Sequence, residues 1–307
     1  VASIIEAQGL AKRYGRLVAL HAMSFQISPG RIVGLIGRNG AGKTTLLKTL
    51  LGLTPYQGSV RVFGLEASRD RSALMSEICF IADTSVLPRW LRVDHAIKYV
   101  QGVHPRFDRQ RAEAVLAETG IPRRSRIGEL SRGMITQLHL ALILAIDARL
   151  LVLDEPTLGL DLVYRRHFYD TLLNDYLDKE RTILLTTHQI EEVENILTDV
   201  MLIEQGRLLL DCSVEEIAAR FVALEVAPSQ LAAARALGPF HAHEMFGRTR
   251  LLFENTPREA LAAFGELRTP SIAELFLGKV SDGTAAPSQT PSLAPVSASR
   301  TATTGAA

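Results

Sequence analysis

Cysteine is scarce: Cys79 and Cys212 are the only two in 307 residues, and they lie far apart without C-x-x-C spacing. A disulfide framework and a zinc ribbon are therefore excluded, and a reducing compartment is expected. Excess charge of either sign is also lacking. Lysine plus arginine number 34 against 33 for aspartate plus glutamate, a net of +1, which excludes the basic surplus of a nucleic-acid sleeve. Long hydrophobic runs are missing too. The longest, Leu138 to Leu153, is broken by His139, Asp147 and Arg149, whereas a membrane span needs about 20 mostly apolar residues. Val1 to Gln8 has neither the basic flank nor the apolar run of a signal peptide, so the chain is expected to reach a membrane only through a partner. What remains is an ordinary globular mixture, 47% hydrophobic and 22% charged, long enough for about two structural units at roughly 150 residues each.

Short β-rich runs open the chain: Ile4 to Ala7, Leu17 to Leu20 and Met23 to Ile27, closed by Ser28-Pro29-Gly30, the pattern of an antiparallel subdomain. An apolar strand, Ile32 to Ile36, a glycine-rich turn and a helix from Lys43 to Leu51 follow in the order of a parallel α/β unit. Strands at Leu150 to Leu153 and Thr182 to Leu185 flank a helical stretch, Val163 to Leu177, so the core is α/β. A helical insertion lies between, with Asp94 to Val100 and a helix that starts at Asp108 and stops at Gly120-Ile121-Pro122. Glu204-Gln205-Gly206-Arg207 predicts a hairpin, and Ser213-x-x-Glu216 a capping box opening a helix. The first unit is placed at residues 1–221. Residues 222–280 read as a small α+β unit: a strand, a helix, a hairpin around Gly247, a helix capped at Thr256-Pro257-x-Glu259 and a last helix at Ser271-x-x-Glu274. Residues 281–307 hold no aromatic residue and only Asp282 and Arg300 as charges, so disorder is expected there.

The run Gly37-Arg38-Asn39-Gly40-Ala41-Gly42-Lys43-Thr44 sits between a predicted strand and a predicted helix, the context a phosphate-binding loop requires. Its glycines let backbone N–H groups curl inward onto phosphate oxygens. Lys43 reaches the β- and γ-phosphates, the Thr44 hydroxyl is a Mg²⁺ ligand, and Thr45 adds a phosphate hydrogen bond. Leu150 to Leu153 runs into Asp154 and Glu155 at the strand end where α/β sheets place ligands. Neighbours on a strand point opposite ways, which assigns the two carboxylates separate tasks: Asp154 to the Mg²⁺ shell and Glu155 to polarising the attacking water as general base.

With these motifs the chain resembles the ATP-binding cassette (ABC) ATPases from Ile4 to about Phe221. Leu130-Ser131-Arg132-Gly133-Met134 stands where that family has its Leu-Ser-Gly-Gly-Gln signature, ahead of a helix from Ile135 to Ile146 and of the Asp154-Glu155 strand. The resemblance implies a P-loop NTPase cassette with antiparallel β and helical subdomains, followed here by the small α+β appendage. It implies a head-to-tail homodimer closed around ATP and Mg²⁺, in which Ser131 and the Gly133 backbone cap the γ-phosphate held by the opposite copy. Gly159-Leu160-Asp161 matches the D-loop, His188 the switch histidine and Tyr14 the aromatic that stacks on adenine. Other partners implied are separately encoded transmembrane permease subunits, with the chain peripheral on the cytoplasmic face of the inner membrane. No nucleic acid is expected. Pro270 to Leu277 is similar to a tail of single-cassette exporter subunits of the ABC-2 type, which leans towards export.

Four positions depart from the family pattern. Asp83 stands where the Q-loop glutamine is expected and is a candidate metal contact through oxygen. Arg132 and Met134 replace a glycine and the glutamine of the signature, and Leu158 replaces the serine that usually begins the D-loop. With Glu155 and His188 present, hydrolysis is expected to survive; a regulatory nucleotide-binding module with weak turnover and a soluble ABC ATPase acting on ribosomes or DNA are the alternatives. His241-x-His243 puts two imidazoles on one strand face without further ligands. Arg123-Arg124-x-Arg126 has no interleaved aromatic and reads as solvated surface or a phosphate-side turn. Trp90 is either core of the helical lobe or part of the surface that receives a membrane subunit.

Overall fold

The computed structural model describes residues 3–82, 87–158, 162–176, 181–245 and 247–283. Strand β1 (Ile5–Tyr14) pairs antiparallel with β2 (Leu17–Ile27), from Ile5 opposite Ile27 to Tyr14 opposite Leu17. The two runs expected between Leu17 and Ile27 are thus one strand. Register shifts near Gly9, which stands at φ +57°, keep the alternation of buried side chains in step along both partners. Fully buried β3 (Ile32–Ile36) leads into α1 (Lys43–Leu50). Then β4 (Gln57–Val62) and β5 (Leu65–Glu66) return to complete a sheet of order β2-β1-β4-β5.

Short α2 (Arg71–Met75) precedes β6 (Ile78–Ile81). The helical lobe holds α3 (Val93–Val103), α4 (Arg109–Ala117) and α5 (Arg132–Leu144) around its own core, which includes Val93, Ile97, Leu116, Ile121 and Leu138. Asp108 caps α4 by accepting the Gln110 and Arg111 amides at 2.8 and 3.1 Å. Arg123 is spent inside the lobe, on Glu113 at 2.9 Å and on the carbonyl of Ile121 at 3.2 Å. The chain then alternates through β7 (Leu150–Asp154), α6 (Leu162–Tyr176), β8 (Thr182–Thr187) and β9 (Asp199–Glu204), with β10 (Arg207–Ser213) closing as a hairpin. The resulting sheet has order β10-β9-β3-β8-β7-β6 and is parallel except for that hairpin. Gln205 and Gly206 turn it at φ +47° and +72°, as a two-residue hairpin turn demands. Among the described residues, no helix is long and apolar enough to cross a membrane.

The last unit begins where α7 (Val214–Arg220), opened by the Ser213–Glu216 capping box, meets β11 (Phe221–Val226). It continues through α8 (Leu231–Arg235), β12 (His241–Met245), β13 (Arg248–Glu254), α9 (Arg258–Leu261), β14 (Gly265–Arg268) and α10 (Ile272–Gly283). The four strands form an antiparallel sheet, β12-β13-β11-β14. Thr256 does not cap α9: the helix starts after Pro257 with no side-chain cap, and the Thr256 hydroxyl donates to the Glu254 carbonyl at 3.4 Å. α10 runs through residues 281–283, three positions into the stretch expected to be disordered; the rest of that stretch lies outside the described residues. Ile272, Leu275 and Phe276 of α10 bury in the same cluster as Ile32, Leu151 and Ile183 of the parallel sheet. The C-terminal unit therefore shares a core with the first unit.

Glu274 fastens α10 to the C-terminal sheet. It meets Arg250 and Arg268, and its carboxylate accepts the Ser271 amide at 2.9 Å while its own amide donates to the Ser271 hydroxyl at 3.2 Å. Desolvation pushes its carboxyl up, but the Arg268 and Ser271 hydrogen bonds and the Arg250 charge outweigh it and hold the group at about 2. A depressed acid stabilises the fold above its unfolded value near 4.5, and that contribution is lost as pH falls through about 2. The side chain is only 17% exposed, so screening is weak and the contribution at pH 7 reaches about 3 kcal/mol. Glu274→Gln is expected to lower stability by about 2 to 3 kcal/mol at pH 7 and by much less near pH 2, read from urea unfolding at both values. Equal losses at the two pH values would remove the ionic explanation.

Candidate functional site

The site is built where β3, β7 and β8 end together, the rim at which parallel sheets present ligands. At Gly37 an added Cβ would stand 2.3 Å from the Ile203 carbonyl oxygen, so only glycine lets the chain leave β3 there. Gly40 and Gly42 turn it at φ +83° and +110°, and α1 starts at once with Lys43. The first-turn amides of α1 have no carbonyl behind them and carry the positive end of the helix dipole. They face a crevice of about 510 Å³ lined by Asn39, Gly40, Gly42, Lys43, Thr44, Thr45, Tyr14 and Glu155. Ala41 is buried, and its carbonyl accepts the Gly206 amide at 2.8 Å, bolting the β9–β10 hairpin tip to the loop.

Lys43 is buried. Its Nζ donates to the Gly37 carbonyl at 2.8 Å and lies 3.0 Å from Glu155 Oε1. Asp154 ends β7, 3% exposed, and accepts the Thr186 hydroxyl from β8 at 2.7 Å. Glu155 is not on the strand: it stands at φ +49°, the left-handed region that a glutamate rarely occupies. Its amide donates to Thr186 Oγ1 at 2.9 Å, which fixes this turn against β8. Strand alternation therefore does not separate the two carboxylates as expected: β7 ends at Asp154, and Glu155 stands in a left-handed turn beyond it, beside Lys43. Glu155 Oε2 lies 2.8 Å from His188 Nδ1. A carboxylate only accepts, so with Glu155 ionised Nδ1 carries the proton. Loop, strand end and histidine thereby converge on one carboxylate.

Of the other candidates, Tyr14 is half exposed at the mouth of the crevice, with the Lys12 ammonium 4.5 Å from its ring centre. Ser131 is the N-cap of α5, its hydroxyl accepting the Met134 amide at 3.2 Å, and Gly133 is buried in the first turn. α5 therefore starts at Arg132, three residues earlier than expected, which puts the helix terminus at the signature itself. Among the described residues, neither Ser131 nor Gly133 has a hydrogen bond to the 37–44 loop. Asp83 and Asp161 lie outside the described residues. Trp90 is 72% exposed, so it is not core. Two parts of the site were not foreseen from sequence. Thr186 gains its role from the register that sets it opposite Asp154, and Gln205-Gly206 was legible as a turn but not as a wall of the crevice.

The donors fit a small hard cation. Thr44 supplies a hydroxyl and Asp154 a buried carboxylate, and among the described residues Glu155 Oε1 is buried with no hydrogen-bond partner beyond the Lys43 ion contact. Among the described residues, no group of three or more His, Cys, Asp or Glu side chains gathers to cage a metal. That sparseness suits Mg²⁺, which keeps waters and leans on substrate phosphates.

A family model described as "ABC transporter" matches residues 20–158. The Nod factor export ATP-binding protein I of Rhizobium etli is 29% identical over 299 residues, 89% of this chain and 92% of the relative. The protein of the same description from Burkholderia pseudomallei is 37% identical over 220 residues, 67% and 70% of the two chains. Among solved structures, an ATP-binding subunit of an ABC transporter superposes with a TM-score of 0.63 at 24% identity, covering 71% of this chain and 92% of that one. A bacterial Atm1-family ABC exporter with ATP bound superposes with a TM-score of 0.60 at 21% identity, over 70% of this chain and 39% of that one.

Proposed function

From the premise that the chain belongs to the ABC transporter family, as an ATP-binding subunit and ATPase, we propose that it drives export through separately encoded membrane subunits. Residues 1–221 are its cassette in this reading and residues 222–280 the appendage. The observation that carries the reading is the convergence of Lys43 and His188 on Glu155, at 3.0 and 2.8 Å, in front of the α1 N-terminus. Phosphates of ATP bind the free amides of α1, and Lys43 turns from Glu155 to the β- and γ-phosphates. Thr44 and Asp154 would hold Mg²⁺, which when bound neutralises phosphate charge.

Glu155 takes the proton of the attacking water, and His188, bonded to it, holds the carboxylate in place and faces the γ-phosphate. Ser131, exposed at the N-cap, and Gly133 open α5, and in a head-to-tail pair a second copy supplies them to the γ-phosphate held in the first. ATP then favours the closed pair and ADP does not, and that difference in affinity does the conformational work. Tyr14 stacks on adenine at the mouth, and in this reading Asp83 is a metal contact and Asp161, at the D-loop position, a nucleotide contact.

Exposed Trp90, with Tyr99 and Val103 also exposed on the helical lobe, is the surface that receives the membrane subunit. The chain is peripheral on the cytoplasmic face of the inner membrane in this reading. The relatives named for Nod factor export support an exporter role. The test is capture from gently solubilised host membranes by tagged protein, with Trp90→Ala alongside. A polytopic membrane protein recovered by the parent chain and lost with Trp90→Ala is expected. Recovery of ribosomal or nucleic-acid partners with no membrane protein would overturn the reading.

A further inference from the structure

The segment that follows His188 is held from two sides. On one side, Arg165 of α6 bonds both the Gln189 side chain and the Glu192 carboxylate. On the other, Glu194 Oε1 accepts the backbone amide of Ile272, the first residue of α10, at 2.7 Å. A first-turn amide has no acceptor inside its own helix, and here the acceptor comes from an element 78 residues earlier in the chain. The negative charge also suits the positive end of α10. Apolar contacts reinforce the junction, since Ile190 and Val193 of the His188 segment bury with Ile272, Leu275 and Phe276. α10 is fixed in turn to the C-terminal sheet, with Glu274 in its first turn paired to Arg250 and Arg268 and Lys279 Nζ, further along, 2.7 Å from Glu254. A continuous path of bonds therefore runs from the C-terminal sheet through α10 to the six residues that follow His188.

We propose that Glu194 is a positioning residue for ATP hydrolysis: by binding the Ile272 amide it pins the His188 segment to α10, so that the C-terminal unit sets the approach of His188 to Glu155. The inference rests on the role given to His188 above and assigns the appendage a part in turnover. Affinity for ATP depends on the 37–44 loop and α1, which α10 does not touch through this bond, so the effect falls on kcat rather than KM.

The test is steady-state ATP hydrolysis by full-length protein carrying Glu194→Ala, Glu194→Gln, Ile272→Pro, His188→Ala or the His188→Ala/Glu194→Ala pair. Glu194→Ala is expected to lower kcat about tenfold with KM for ATP changed less than about twofold, because misplacing a catalytic group slows chemistry without weakening binding. Glu194→Gln keeps an acceptor oxygen and restores most of the rate. Ile272→Pro removes the donor at a helix position that tolerates proline and reproduces the loss from the other side. On the His188→Ala background, Glu194→Ala adds nothing further. Unchanged kcat in a folded Glu194→Ala chain, or losses that multiply in the double variant, would overturn the proposal. Full turnover by His188→Ala would instead overturn the histidine's assigned role, and the single-variant series distinguishes that failure from the first.

Discussion

Glu155→Gln is expected to lower ATP turnover by about 10³-fold, the range over which a positioned general base acts, with ATP affinity unchanged or tighter. The amide is nearly isosteric and keeps a partner for His188 Nδ1 at the 2.8 Å position, so the site stays assembled. It has no basicity, so the attacking water keeps its proton. It also carries no charge to hold Lys43, whose ammonium lies 3.0 Å from Glu155 Oε1 in the parent chain, and the released cation is free for phosphate. Phosphate release under saturating ATP, together with equilibrium nucleotide binding, reads both halves of the expectation. Undiminished turnover would remove Glu155 as the base. Turnover at background level in the parent chain would favour the regulatory-module alternative.

Lys43→Ala acts on the other side of the same ion pair and is expected to raise the Kd for ATP at least about 100-fold. Charge-assisted contacts to phosphate supply about 3 kcal/mol of binding, which corresponds to that factor. A second effect accompanies it. Among the described residues Glu155 Oε1 is buried and has no other partner, so removing the ammonium leaves that oxygen without its counter-charge, and breaking one side of a buried pair destabilises a fold. Urea unfolding of Lys43→Ala should therefore show a lower midpoint than Glu155→Gln, which removes the opposite charge and leaves a lysine that still donates to the Gly37 carbonyl at 2.8 Å. Retention of ATP by the alanine variant at parental affinity would contradict the assignment of the 37–44 loop.

How far these features were legible from the amino-acid order differs from place to place. Local signals carried well: the glycines that turn the 37–42 loop, the capping pair Ser213 and Glu216, Asp108 at α4 and the Gln205-Gly206 turn all act over a few residues. Strands with strong apolar runs, β3, β7 and β8, were readable because they are buried on both faces. β4, β5 and β14 were not. Gln57-Gly58-Ser59 and Gly265-Glu266 carry little apolar signal, and both segments become strands by pairing with neighbours distant in sequence. The break expected at Ala22 within β2 fails for the same reason, because β1 supplies a continuous ladder.

The site divides in the same way. Lys43, Asp154, Glu155 and His188 were named from motif order, and the chain brings Lys43 and His188 to Glu155. Their mutual geometry depends on facts no motif encodes: the β7–β8 register that sets Thr186 opposite Asp154, and the left-handed turn at Glu155. The bond from Glu194 to α10 spans 78 residues and reaches a helix start that already looks self-sufficient in sequence, with its Ser271–Glu274 capping pair. Trp90 was ambiguous between core and surface because a lone aromatic has no periodicity, and only its exposure decides.

The most direct test of the account is the mass in solution of Glu155→Gln protein with and without Mg²⁺-ATP, measured by light scattering, with Ser131→Arg introduced into the same chain as a control. Two copies sandwiching nucleotide predict a doubled mass with ATP only, reversed by ADP and abolished by an arginine at the α5 terminus. A monomer under both conditions, or a dimer indifferent to nucleotide and to Ser131, would contradict it.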